Sequence, residues 1–146
     1  MKAKEILAAK GSRVVTCHED NSLMEALAIF SANKVGSLIA VDSNDKIKGI
    51  IAPRDILLIV LNKLDTIRDL YVKDIMSTNL IVATVDDNIE YLQSVMTSNR
   101  VRHLPILDDG ELKGLISIGD VVKAQVEEKD VEIHYLKDYM EGKYPG

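Results

Sequence analysis

An internal repeat is the feature of this 146-residue sequence that most constrains its fold. Residues 15–42 align with residues 81–108, and residues 47–57 align with residues 112–122 once one turn residue is dropped from the second copy. Nine of the 39 aligned positions are identical, and most of the others are conservative. A repeat of this length predicts two copies of one supersecondary unit that stack to share a core.

Each copy shows the same succession of local patterns. A short β-rich run, at residues 13–17 or 80–85, precedes a segment with apolar side chains at helical spacing from Leu23 or Ile89 onward. Two further strands follow, at residues 37–41 and 47–51 or at residues 103–107 and 112–116, with Asp- and Asn-rich turns between them. A second helix is predicted to begin at Pro53 or Ile118. The first helices are expected to be capped by Asp20 or Asn21 in copy one and by Asp86 or Asp87 in copy two.

This pattern predicts a mixed α/β (α+β) fold. Two β-α-β-β-α units of about 60 residues are expected to pack about a pseudo-two-fold axis, because one such unit alone has too small a core. We assign residues 1–66 to the first repeat and residues 67–126 to the second, the two forming one joint module, with residues 127–146 as a C-terminal helix and tail.

The C-terminal segment predicts one long helix over residues 122–141. Its apolar residues recur at a spacing near 3.5, at Val126, Ile133, Leu136 and Met140. Such a stripe either packs on its own module or forms a contact between subunits.

Composition excludes several classes of protein. The formal net charge is −5, the pI is near 5.2 and only 4% of the residues are aromatic, which argues against a nucleic-acid-binding protein. Cys17 is the single cysteine, so a disulfide framework and a Cys-based zinc site are excluded. No apolar run approaches the ~20 residues of a membrane span, and no signal peptide is visible. We therefore expect a cytoplasmic protein with no membrane partner.

The sequence also lacks the usual marks of catalysis. His18, His103 and His134 are scattered, and neither a P-loop nor a dinucleotide glycine fingerprint is present. We expect no enzymatic activity, no catalytic cofactor and no metal site.

Two clusters are candidates for ligand binding. Ser117 and Asp120, at the start of the last helix, form either a capping box or a ribose- and phosphate-binding helix N-terminus. Copy one keeps Asp55 but has Ala52 at the cap position, which favours another role for the carboxylate. The second cluster is the basic run Arg100, Arg102 and His103, which is either a solvated strand edge or a phosphate-binding element.

These features together resemble a tandem pair of CBS domains. The resemblance covers about residues 4–125 and depends on the repeat, the linker at residues 71–76, the Arg102-His103-Leu104-Pro105 strand entry and the G-h-h-S-x-x-D run of residues 114–120. It implies a regulatory module that senses AMP, ADP, ATP, NAD or S-adenosylmethionine in a cleft between the repeats and signals by a conformational shift. It also implies a homodimer with an as yet unidentified target protein.

The resemblance further implies which residues bind the ligand, because in this family the motif Asp holds the ribose diol and the motif Ser supports ribose or phosphate. One site would comprise Asp120, Ser117, Thr16, Cys17, Val35, Gly36 and Ser37. The other would comprise Asp55, Arg54, Val82, Ala83, Val101, Arg102 and His103. Ala52 departs from the Ser or Thr of the motif. The alternative hypothesis is a structural dimerisation or protein-interaction module that binds no ligand.

Overall fold

A computed structural model describes residues 1–142 and shows helices and strands alternating along the chain. In order, the elements are α1 (Ala3–Lys10), β1 (Thr16–His18), α2 (Leu23–Asn33), β2 (Leu38–Val41), β3 (Ile47–Ile51), α3 (Pro53–Lys63), a 3-10 helix (Leu64–Asp69), α4 (Val72–Ile75), β4 (Ala83–Thr84), α5 (Ile89–Asn99), β5 (His103–Asp108), β6 (Glu111–Ser117) and α6 (Ile118–Met140). The predicted mixed α+β class is confirmed.

The strands form two three-stranded sheets of the same topology. In one sheet β1 runs parallel to β2, and β2 is antiparallel to β3; in the other, β4 runs parallel to β5, and β5 is antiparallel to β6. The parallel pairs are joined through helices α2 and α5, as a crossover requires, and the antiparallel pairs are hairpins. The strands β1 and β4 are shorter than predicted, because only three and two of their residues pair with the neighbouring strand.

The contacts divide the chain into two compact units. The first-repeat unit comprises residues 13–80, and the second-repeat unit comprises residues 1–12 together with the chain from residue 81. Each unit has its own core between its sheet and its helices, which contains Leu23, Leu38 and Ile51 in one unit and Leu92, Leu104 and Ile116 in the other. The N-terminal helix α1 thus packs with the repeat that is distant from it in sequence.

Two glycines at equivalent positions of the repeat explain how each unit takes up its extra helix. A Cβ atom on Gly114 of β6 would lie 2.5 Å from Leu7 Cδ2 of α1, and one on Gly49 of β3 would lie 2.5 Å from Met76 Sδ, directly after α4. A side chain at either position would separate the helix from the sheet. Leu7 and Met76 therefore occupy the same place in their respective units.

The repeat extends to fine details of the backbone. Helices α2 and α5 both end in a left-handed residue, Lys34 at φ 52° and Arg100 at φ 53°. The hairpins are both irregular at the corresponding step, between Ala40 and Val41 and between Ile106 and Leu107. The two halves therefore share one local fold in detail.

The predicted caps of α2 and α5 were wrong by one or two residues. The N-caps are Ser22, whose hydroxyl accepts from Glu25 N at 3.1 Å, and Asn88, whose side chain accepts from Tyr91 N at 2.8 Å. The expected caps hold the preceding turns instead. Asn21 Oδ1 accepts from His18 N, and Asp87 Oδ2 accepts from Thr84 N, each at 2.8 Å.

Helix α6 is continuous through the predicted C-terminal helix. The apolar residues of the predicted stripe are more than half exposed: Val126, Ile133, Leu136 and Met140. The hypothesis that this stripe packs on its own module is therefore wrong. Residues 143–146 of the predicted tail lie outside the described residues. No helix within residues 1–142 is both long and apolar enough to cross a membrane.

Candidate functional site

The start of α6 has the geometry of a reciprocal cap. Asp120 N donates to Ser117 Oγ at 3.1 Å, and Ser117 N donates to Asp120 Oδ2 at 2.8 Å. These two bonds satisfy backbone groups that a helix N-terminus leaves without intrahelical partners. The structural hypothesis for Ser117 and Asp120 is thus realised, and it places a carboxylate at the positive end of a 23-residue helix.

Lys10 adds a contact that distinguishes Asp120 from an ordinary capping residue. Its Nζ lies 2.6 Å from Asp120 Oδ2 and donates to Leu115 O at 2.8 Å. The lysine side chain is 37% exposed and that of the aspartate is 23% exposed, so the pair is partly shielded from water. Partial burial acts to raise the pKa of Asp120, but the hydrogen bonds from Lys10 and Ser117 outweigh it and hold the pKa below its ordinary value.

The basic strand entry adjoins this carboxylate. Ile118 N donates to Arg102 O at 2.8 Å, and His103 of β5 pairs with Ser117 of β6. Burial lowers the pKa of His103, and the nearby charges of Lys10 and Arg102 lower it further against the opposing effect of Asp120. His103 is therefore held mainly neutral near pH 7, where its ring can donate or accept a hydrogen bond.

The equivalent edge of the first-repeat unit is less elaborate. Asp55 Oδ2 accepts from Ala52 N at 2.8 Å, so its carboxylate caps α3 even though Ala52 has no side chain to reciprocate. This bond accounts for Asp55 without a ligand, which removes the argument that the lone carboxylate must have another role. Arg54, beside it, is exposed.

Ser37, at the entry to β2, is the residue equivalent to His103. It is 3% exposed, and its hydroxyl has no hydrogen-bond partner among residues 1–142. A buried hydroxyl without a hydrogen-bond partner lowers the stability of a protein by about 1–3 kcal/mol. The hydroxyl of Ser37 is therefore a destabilising polar group in the first-repeat unit.

The remaining predicted site residues differ widely in exposure. Cys17 is buried in the core of the first-repeat unit, and burial raises the pKa of its thiol to about 11, so the side chain is unreactive. Exposed residues are Thr16, Gly36 and Val82; partly buried ones are Val35 and Val101; Ala83 is buried.

The structure brings only part of each predicted set together. Ser117, Asp120, Arg102 and His103 lie in the second-repeat unit, whereas Ser37, Arg54 and Asp55 lie in the first-repeat unit. The resemblance had assigned Arg102 and His103 to the site of Asp55. Because each assigned set draws on both units, the division into two sites stays a prediction.

Sequence reasoning missed Lys10. The signal was present in the similarity of residues 4–7 to residues 73–76, which marks α1 as an element of the repeat, but the partner of α1 was not identified.

Within residues 1–142, no three His, Cys, Asp or Glu side chains are arranged to hold a metal ion.

Comparison with known proteins gives consistent results. A sequence model of the CBS domain matches residues 3–62 and again residues 72–127. The chain is 30% identical over 148 residues to the CBS domain-containing protein CBSX3, mitochondrial, of Arabidopsis thaliana, which covers 96% of this chain and 72% of that relative. Two further curated relatives are longer, and the chain spans 21% and 39% of their lengths.

Solved structures show the same fold. The CBS-domain containing protein ATU1752 from Agrobacterium tumefaciens matches with a TM-score of 0.80 and 34% identity, over 85% of this chain and 92% of that one. The CBS domain pair of protein MJ0100, in complex with 5'-methylthioadenosine and S-adenosyl-L-methionine, matches with a TM-score of 0.73 and 25% identity, over 85% and 98%. The two matches to the family model together span most of the chain, which therefore belongs to the CBS-domain family and carries two copies of the domain.

Proposed function

We propose that this protein is a regulatory module that binds an adenosine ligand at the start of α6 and signals by a shift between conformations. The candidate ligands are AMP, ADP, ATP, NAD and S-adenosylmethionine. The observation that carries the proposal is the partly exposed carboxylate of Asp120 at a helix N-terminus, beside Ser117 and the basic strand entry of Arg102 and His103. A carboxylate of this kind can accept both hydroxyls of a ribose, and the neighbouring donors suit a phosphate.

A further observation supports the proposal. The MJ0100 structure, which is similar in fold, contains two adenosine compounds. The proposal includes a cytoplasmic location, which the single unpaired cysteine favours.

Thermal unfolding of the ligand-free protein tests the proposal. A ligand that binds the folded state raises the Tm by mass action, by an amount equivalent to about 2.7 kcal/mol at a hundredfold excess over Kd. We expect at least one of the candidate ligands to raise the Tm of the wild type, and Asp120→Asn to abolish the shift. Asp87→Asn is the matched control, because Asp87 accepts a similar 2.8 Å bond from Thr84 N in the same unit.

The same experiment separates the two functional hypotheses. A wild-type Tm that no candidate ligand moves would favour the ligand-free dimerisation module, for which the capping roles of Asp55 and Asp120 are sufficient. An equal ligand shift in Asp120→Asn and the wild type would place the ligand elsewhere.

We also propose that the protein forms a homodimer through helices α3 and α6. Their apolar residues are exposed at equivalent positions of the repeat, Leu57 with Val122 and Leu61 with Val126, all at least half exposed. Matched apolar patches of this kind are typical of association surfaces. Sedimentation should show weaker association in Leu61→Asp and after deletion of residues 132–146. Met24→Asp, at an exposed position of α2, should leave association unchanged.

A further inference from the structure

Lys10 occupies the acceptor that the proposed ribose contact requires. Asp120 Oδ2 holds two donors, Ser117 N at 2.8 Å and Lys10 Nζ at 2.6 Å. A carboxylate oxygen offers about two lone-pair positions, so Oδ2 is fully used. A ribose that gives one hydroxyl to each carboxylate oxygen must therefore displace a donor from Oδ2. The Lys10 side chain can move away, whereas Ser117 N is held in the cap of α6, so Lys10 is the donor displaced.

The displaced ammonium group has a second contact that can hold it in the site. Its second contact, to Leu115 O at 2.8 Å, is with the backbone of β6 and does not depend on Asp120. Its charge also acts on His103, whose backbone pairs with that of Ser117 at the end of β6. Lys10 therefore keeps a contact with β6 near His103, where the polar end of a ligand is expected.

We propose that Lys10 makes this site selective for adenosine ligands that carry a negative charge. The inference rests on the proposed function of the Asp120 site. An anionic ligand replaces the counter-ion that Lys10 loses when the ribose takes Asp120. An uncharged adenosine ligand binds the carboxylate but gives Lys10 no new counter-ion, so its affinity is reduced by the free energy of separating the ion pair.

Competing carboxylates set the limit of this selectivity. A groove of about 100 Å³ between α1 and α6 is lined by Lys10, Asp120 and Lys123 as well as by Glu5 and Glu127. A displaced Lys10 that turned to Glu5 or Glu127 would regain a counter-ion without help from the ligand. The two possibilities differ in their effect on charged and uncharged ligands.

Isothermal titration of AMP and adenosine tests the inference, because the two compounds differ only in the phosphate. We expect the wild type to prefer AMP, and Lys10→Met to reduce the ratio of the two affinities about tenfold, by strengthening adenosine binding while AMP binding stays equal or weakens. Lys10→Arg keeps the charge and should retain most of the preference. Lys4→Met, on the same helix with its Nζ 3.3 Å from Asp86, is the control and should leave the ratio unchanged.

Each other outcome refutes the inference. Equal strengthening of both ligands in Lys10→Met would show that Lys10 only competes for Asp120 and then turns to Glu5 or Glu127. Unchanged affinities for both ligands would show that Lys10 neither competes for Asp120 nor takes part in selection. If the wild type binds neither AMP nor adenosine, the proposed function fails for these ligands and the inference fails with it. The Tm of Lys10→Gln, which lacks the charge but keeps a polar side chain, shows whether loss of charge alone unfolds α1.

Discussion

Substituting alanine for Gly114 should separate α1 from the sheet of the second-repeat unit. The added Cβ would lie 2.5, 2.9 and 3.2 Å from Cδ2, Cδ1 and Cγ of Leu7, whereas carbon atoms pack best about 3.5–4.0 Å apart. The Leu7 side chain must therefore move by about 1 Å within a core where it is 6% exposed. Gly114 has no positive φ, so the backbone itself accepts alanine.

The expected loss of stability follows from these distances. Overpacking of a core costs about 1–3 kcal/mol, from which about 0.4–1 kcal/mol is recovered because alanine restricts the unfolded chain. We expect Gly114→Ala to lower the free energy of unfolding by about 1–2 kcal/mol, measured by urea denaturation with circular dichroism. Gly119→Ala is the control. Its nearest neighbour is Ser117 Oγ at 3.6 Å, and alanine in a helix should be neutral or stabilising by up to about 1 kcal/mol.

A double-mutant cycle identifies the cause of the loss. Leu7→Ala alone should cost about 2–5 kcal/mol, but in the Gly114→Ala background the new methyl group occupies space that Leu7 has left. The two effects should therefore fall short of additivity by about 1 kcal/mol or more. Additive effects, or a Gly114→Ala protein as stable as the wild type, would refute the close packing of α1 on β6.

Three further predictions concern single side chains. In urea denaturation, Ser37→Ala should leave the free energy of unfolding unchanged or raise it by about 1 kcal/mol, because the substitution removes a buried hydroxyl that has no hydrogen-bond partner. The control, Ser22→Ala, should lower the free energy of unfolding by about 1 kcal/mol, because it removes the cap of α2. A large loss of stability in Ser37→Ala would show that the hydroxyl has a partner. Cys17, with its pKa raised to about 11 by burial, should resist iodoacetamide at pH 8 in the folded protein and react in urea; rapid labelling of the folded protein would contradict its burial. The pKa of His103 is lower in the folded state than in the unfolded state, so the unfolded state binds more protons as the pH falls. Between pH 7.5 and pH 5.5, the free energy of unfolding should therefore fall more in the wild type than in His103→Gln. An equal fall in the two proteins would contradict this prediction.

Local patterns were sufficient to predict much of the fold. Strand β3 has the predicted bounds, and α3 and α6 begin at the predicted residues. The signals act over a few residues: Asp- and Asn-rich turns, the proline at the start of α3 and the Ser117–Asp120 cap of α6. The caps of α2 and α5 were misplaced because Ser, Asn and Asp side chains cap helices and close turns by the same kind of hydrogen bond.

The candidate site was only half predictable for a different reason. Ser117 and Asp120 form a short motif, whereas Lys10 reaches Asp120 across 110 positions of the chain. No periodicity or spacing links such residues, since their contact depends on how α1 packs against β6. The sequence likewise could not predict that the buried hydroxyl of Ser37 lacks a hydrogen-bond partner, because this depends on the packing of the residues around it.

The position of α1 has a consequence for the order in which the nascent chain can fold. Residues 13–80, which make up the first-repeat unit, are all synthesised before β6, so contacts within this unit can begin to form while the ribosome is still translating the remainder. The apolar residue Leu7 is made before this unit, but the surface of β6 on which it packs is synthesised more than a hundred residues later. Helix α1 is therefore synthesised before the first-repeat unit but completes its packing after it.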